Sequence, residues 1–198
     1  MRERPFYYRK FFHLSGSIVA LGYLFIPQKG LYLVILLPFL LLFLIVDILR
    51  LNSPRINEHF FHLFSPLIAP KDSHQLNGST YYLISSFLSI LLFPKEVAVL
   101  SMLYLSMGDS TAAIIGKKFG KTKIFDKTLE GSLSCLLLCF LISLKFFNWK
   151  ISLVGATSAM LIELFSSGDF RSPLLLDDNL LIPLLSGGIL LLLTTKIL

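Results

Sequence analysis

The chain has 198 residues, of which 55% are hydrophobic and only 15% charged, and its mean hydropathy is +0.75. That is too apolar for a soluble domain of this length and fits an integral membrane protein. The net charge of +6 is not read as nucleic-acid binding, because no soluble basic domain is present and cytoplasmic loops of membrane proteins collect Lys and Arg.

The N-terminal stretch MRERPFYYRKFFH is basic and aromatic, which suits the cytoplasmic membrane surface. Leu14–Ile26 is apolar with no small-residue cleavage pattern after it, so it reads as a short first span and not a removable signal peptide. Leu31–Leu49 is a strong span, long enough for the roughly 30 Å hydrocarbon core at about 1.5 Å per residue. Arg50–Leu76 reads as a loop in which Phe60, Phe61, Phe64, Leu67 and Ile68 can form a surface-lying segment. Ser79–Phe93 and Val97–Gly108 are the predicted third and fourth spans, around the turn Pro94-Lys95-Glu96. Leu133–Phe147 and Ile151–Phe165 follow around Asn148-Trp149-Lys150, and Leu180–Thr194 is the seventh. Cys135 and Cys139 sit i,i+4 inside one apolar segment, away from the histidines, and read as packing residues. With no linker or repeat, the expectation is one integral membrane domain over 1–198. It is all-α and polytopic, with about seven transmembrane helices and a cytoplasmic N-terminus.

Charge counting supports that orientation. The inner segments carry Arg2, Arg4, Arg9, Lys10, Arg50, Arg55, Lys71, Lys117, Lys118, Lys121, Lys123, Lys127 and Arg171, thirteen of the eighteen cations. Lys29, Lys95, Lys145, Lys150 and Lys196 fall outside. Eleven of the twelve acids also fall at the inner end, Glu96 being the exception. Topology rules do not ask for that distribution, whereas a polar site on the cytoplasmic face does.

The densest chemistry lies in Gly108–Ser132, read as a loop: GDSTAAIIGKKFGKTKIFDKTLEGS. It offers Asp109 to hold a divalent metal and small residues that admit close approach. The lysines are clustered, and Glu130-Gly131-Ser132 closes the stretch. Together these suit a polyphosphate. Four further groups converge on the same face. Arg9 and His13 share one side of a helix. Asp47 and Arg50, spaced i,i+3, have a local ion pair as their plain reading. Glu163 is a carboxylate in the last turns of an apolar helix, where burial is expensive. Asp177-Asp178-Asn179 opens the last span, and one of the three suffices as its N-cap.

In this order the groups resemble the CTP-dependent lipid kinases: dolichol kinase, phytol kinase and the fungal-type diacylglycerol kinase. The resemblance is carried by GDS-T-A-xxx-G-xxx-GK-x-K followed by KT-x-EGS. It extends to Arg9, Lys10 and His13, to Asp47 and Arg50, and to Glu163, Asp178, Asn179 and Pro183. It implies transfer of the CTP γ-phosphate to the hydroxyl of a lipid alcohol at the cytoplasmic face, with Mg²⁺. Asp109, Asp178, Asn179 and Glu130 are then the candidate metal ligands, and Asp109, Asp178, Glu163 and His13 the candidate catalytic groups. Arg9, Lys10, Gly116, Lys117, Gly120, Lys121, Lys123, Lys127, Thr128, Glu130, Gly131 and Ser132 are the candidate nucleotide contacts. Phosphatidate cytidylyltransferase carries a similar loop, but its downstream hallmark is missing where this chain reads DDNLLIPLLSGG. Gly116–Thr122 is one residue short of a P-loop and follows a membrane helix, which excludes that motif. A transporter is the reading from another class; polar groups gathered at one face and not at the midplane oppose it. The acceptor alcohol and the oligomeric state are left open.

Overall fold

The computed structural model describes residues 4–166 and 177–195. Arg2, Arg171 and Lys196 of the charge argument lie outside them. The elements are α1 (Arg4–Ser15), α2 (Ser17–Phe25), α3 (Lys29–Asn52), α4 (Pro54–Phe64), a 3₁₀ turn (Pro70–His74) and α5 (Gly78–Leu92). Then come α6 (Lys95–Leu103), a π turn (Tyr104–Asp109), α7 (Ser110–Phe119), β1 (Lys123–Ile124), β2 (Lys127–Thr128), α8 (Leu129–Ser143), α9 (Trp149–Phe165) and α10 (Asp178–Thr195).

Helix boundaries follow local chemistry. The Asn77 side chain caps α5 by accepting from Ser79 N at 2.6 Å, Thr128 caps α8 through Gly131 N, and Asn148 caps α9 through Lys150 N and Ile151 N. Pro54 starts α4 at a position where no N–H is needed. Buried serines return their hydroxyls to the preceding turn, as Ser101 does to Ala98 O and Ser186 to Ile182 O. At those positions small residues pack helix on helix with the hydroxyl paired, as helices associating in lipid do.

Among the described residues three helical stretches are long and apolar enough to cross a membrane: Lys29–Asn52, Lys95–Phe119 and Asp178–Thr195. α5 and α8 are apolar but shorter, at 15 residues each. Two sequence expectations change. The first predicted span divides at Gly16, leaving α2 with nine residues, less than half of the roughly 30 Å core. The cause is tertiary: Tyr82 donates its hydroxyl to Gly16 O at 2.6 Å, and its ring fills the space a Cβ would take. The stretch after Gly108 is also no loop. Helix continues through Ser110–Phe119, so Lys95–Phe119 is one run of 25 residues interrupted only by the π turn. Ala112, Ala113, Ile114 and Ile115 sustain it. Between α7 and α8 the two-residue strands pair antiparallel, Lys123 opposite Thr128, the one sheet among the described residues. Phe125 takes φ 53° in the connecting turn.

The core centres on α6 and the π turn, where Leu100, Met102, Tyr104 and Leu105 are fully buried. Tyr104 shares a hydrogen bond of 2.5 Å with Ser143 of α8. α8 packs against α7 and α9, and α10 against α5, α6 and α9. Gly108 lies where a Cβ would meet Cys139 Sγ at 2.7 Å and Cys135 Sγ at 3.1 Å. Both thiols are therefore free, buried packing groups, as their spacing suggests.

Candidate active site

Asp109 ends the π turn, a helix defect often found at functional sites. The wide turn delivers a carboxylate that is 4% exposed to the inner side of α1. Lys10 Nζ donates to Asp109 Oδ2 at 2.7 Å, and His13 Nε2 lies 3.5 Å from the same oxygen. Lys10 and His13 share a helix face at i,i+3. Burial alone would lower the Lys10 ammonium, but the Asp109 carboxylate more than offsets it, and its pKa rises above the ordinary value. For His13 burial outweighs the attraction of the Asp109 carboxylate, and its pKa is lowered.

Two further ion pairs complete the ring of charge. Lys127 Nζ meets Glu163 Oε1 at 2.6 Å and also donates to the Glu163 carbonyl, tying the hairpin to the end of α9. Lys71 Nζ meets Asp177 Oδ2 at 2.8 Å. Asp177 is the N-cap of α10, accepting from Asn179 N and Nδ2 at 3.1 and 2.6 Å. That leaves Asp178 for another use. Burial opposes the Asp177 charge, but Lys71 and Asn179 together hold its carboxyl below the usual range.

These groups border two polar cavities. One, about 340 Å³, lies between α7 and α8 and is lined by Gly116, Lys117, Asp126, Lys127, Thr128, Gly131, Ser132 and Glu163 among others. The second, about 310 Å³, lies between α1 and α5, with Arg9, His13, Lys71, Asp72, Asn77, Ser79 and Asn179. Lys10, Asp109 and Asp178 line both and form the wall between them.

Ten of the sequence candidates thus meet at the α7–α8 cavity or its wall: Lys10, Asp109, Gly116, Lys117, Lys127, Thr128, Gly131, Ser132, Glu163 and Asp178. Arg9, His13 and Asn179 face the other cavity. Lys121 and Lys123 are exposed and line neither. Glu130 also lines neither; its carboxylate accepts from Thr122 N at 3.2 and 3.3 Å, closing the hairpin. Gly116, Gly120 and Gly131 make close approaches to protein atoms. A Cβ on Gly131 would stand 2.6 Å from Ala112 O, and one on Gly116 would stand 2.6 Å from Thr128 Oγ1. They bring α7 and α8 together beside the cavity.

Asp47 and Arg50 form the local ion pair of their plain reading, at 2.6 Å and both 1% exposed. Arg50 also donates to Asp72 O and Gln75 O at 2.7 Å each, and Asn77 N donates to Asp47 Oδ2 at 2.9 Å. The pair fixes the segment that carries Lys71 and Ser79. Lys71, Phe12 and Ser79 line the α1–α5 cavity but were not among the candidate site residues of the sequence. Asn77-Gly78-Ser79 carried the helix-cap signal that would have located Ser79.

A Mg²⁺ ion takes one or two carboxylates plus phosphate oxygens and water in preference to a full protein cage. Among the described residues no three His, Cys, Asp or Glu side chains form such a cage. Asp109 and Asp178 share the wall, and Glu163 Oε2 and the Ser132 hydroxyl are buried without a partner. This donor set fits a magnesium–triphosphate and not a bare ion.

The chain is 33% identical over 159 residues to the CTP-dependent diacylglycerol kinase 1 of Schizosaccharomyces pombe, covering 73% of this chain and 72% of that protein. It is 34% identical over 132 residues to the Saccharomyces cerevisiae protein of the same name, covering 64% of this chain and 45% of that one. An uncharacterized protein of Rickettsia prowazekii is 28% identical over 186 residues, 89% of this chain and 88% of its own length. Shorter stretches match proteins named phytol kinase and dolichol kinase. No family profile and no solved structure matches the chain. The chain belongs to the CTP-dependent lipid kinase family.

Proposed function

We propose that this protein transfers the γ-phosphate of CTP to the hydroxyl of a membrane lipid alcohol at the cytoplasmic face. The observation that carries the reading is the wall of Lys10, Asp109 and Asp178 between two polar cavities. A donor on one side and an acceptor on the other would meet across it, and phosphoryl transfer needs little beyond such positioning and charge.

CTP would occupy the α7–α8 cavity, with Lys10, Lys117 and Lys127 facing the triphosphate and the Ser132 hydroxyl donating to it. Asp109 would hold Mg²⁺, which would supply charge neutralisation to the triphosphate. The acceptor oxygen attacks the γ-phosphorus as its bond to the β,γ-bridging oxygen breaks. CDP leaves, and the hydroxyl proton passes to Asp178. His13 and Arg9 orient the acceptor from the other cavity. Orientation follows from charge. Lys29 donates to Leu91 O and Lys95 to Ile26 O, which sets two of the five cations expected outside near the start of α6, about 21 Å from Asp109.

The test is label transfer from γ-labelled CTP, with ATP alongside, to a panel of lipid alcohols and phosphatidate in detergent micelles. Label on an alcohol, reduced about a hundred- to a thousandfold by Asp109→Asn, is the expected result. Pyrophosphate release with CMP moving onto phosphatidate would overturn it in favour of a cytidylyltransferase.

A further inference from the structure

Two apolar grooves leave the α1–α5 cavity. The first, about 420 Å³, runs between α2 and α3 past Phe43, Phe39 and Ile35 to Tyr32. Tyr32 closes its far end by donating its hydroxyl to Val19 O at 2.6 Å. The second, about 380 Å³, continues along α3 past Leu42 and Val46, beneath Phe60 and Phe64 of α4. Phe12, Phe43 and Ser79 line both grooves, and Phe12 and Ser79 also line the polar cavity that holds His13 and Asp109. Ser79 therefore stands where three spaces meet.

We propose that this fork is the acceptor site and that the acceptor is a two-chain lipid alcohol, a diacylglycerol. One chain lies in each groove astride Phe12 and Phe43, and the hydroxyl passes Ser79 to reach Asp109. The proposal rests on the kinase reading for the chemistry but on the fork alone for the ligand. In hydrocarbon a lipid tail gains nothing from leaving water, so shape decides. A single-chain alcohol would fill one groove and forfeit the contacts of the other. The membrane-facing sides of both grooves are open for lateral entry: Ile35 is 43% exposed and Leu42 56%.

That exposure also makes the test clean, because a Trp at either position fills its groove without displacing core. Ile35→Trp and Leu42→Trp are each expected to raise KM for diacylglycerol about tenfold, as over-filling a fitted site does, with KM for CTP unchanged. For a single-chain isoprenoid alcohol only Ile35→Trp should act. Leu42→Trp with an unchanged diacylglycerol KM, or a wild-type preference for the single-chain alcohol, overturns the proposal. Photoreactive diacylglycerol gives a readout independent of turnover. Cross-links to both grooves should be competed by unlabelled diacylglycerol; cross-links that no competitor removes are surrounding lipid and overturn it. If the wild type phosphorylates no alcohol while competed cross-links persist, the kinase reading fails and the lipid site stands.

Discussion

Lys10 holds the position on Asp109 that a divalent cation would need, and at 2.7 Å from a buried oxygen it is a strong resident counter-ion. In the kinase reading the triphosphate must draw Lys10 away before the carboxylate can share a metal with the nucleotide. Metal binding to wild type is therefore expected to depend on CTP. In Lys10→Met the carboxylate loses its counter-ion, so Mn²⁺ followed by electron paramagnetic resonance should bind without nucleotide, at least tenfold tighter than to wild type. Phosphate transfer should fall about a hundredfold. Equal nucleotide-free Mn²⁺ affinity in the two proteins would remove Lys10 from this role. At this scale the chain was legible where charge had to be explained. Asp109, Glu163 and Asp178 stood out because a carboxylate beside an apolar helix needs a reason. Which cation met which acid was not legible, since Lys10, Lys71 and Lys127 reach their partners across 99, 106 and 36 residues of sequence.

Among the elements, the α7–α8 crossing sets the size of the nucleotide cavity. Gly131 packs against Ala112 O and the Gly116 Cα, leaving no room for a side chain. Gly131→Ala is expected to destabilise the protein by about 1–3 kcal/mol, read as a lower thermal midpoint in detergent. Gly188, also helical, has nothing within 4 Å of its Cβ position. Gly188→Ala should be neutral or raise the midpoint, because Ala is the better helix former by about 1 kcal/mol. Equal effects would mean that helix propensity and not the crossing governs both. Sequence reading found the motif glycines but assigned their closeness to the ligand. Spacing alone does not say whether the neighbour is a phosphate or the next helix. The continuation of helix past Gly108 was hidden for a related reason: glycine and four nearby lysines look like a loop until Ala112, Ala113, Ile114 and Ile115 are weighed as helix formers.

For the whole molecule, the expected sidedness can be measured because the two native thiols are buried, Cys135 at 1% and Cys139 at 0% exposure. A single introduced cysteine then reports alone. Lys150→Cys should react with an impermeant maleimide in intact cells, and Lys121→Cys only after permeabilisation; the opposite pattern would invert the proposed orientation. The apolar composition and the ends of α3, α5, α9 and α10 were readable because length, hydropathy and capping residues are local. The division at Gly16 was not, because it depends on Tyr82, 66 residues away.

The π turn also sets angular phase. Along an α-helix each residue advances the side-chain direction by about 100°, and a turn held by i to i+5 bonds accommodates one residue more than a regular turn. Everything after Asp109, meaning α7, the hairpin and α8, is thereby rotated by about one residue's worth relative to α6, against which α2, α5 and α10 pack. The two halves of the site are thus kept in step by the number of residues in one turn. Gaining or losing a residue between Tyr104 and Gly108 would leave a sound helix whose two ends no longer face the same place.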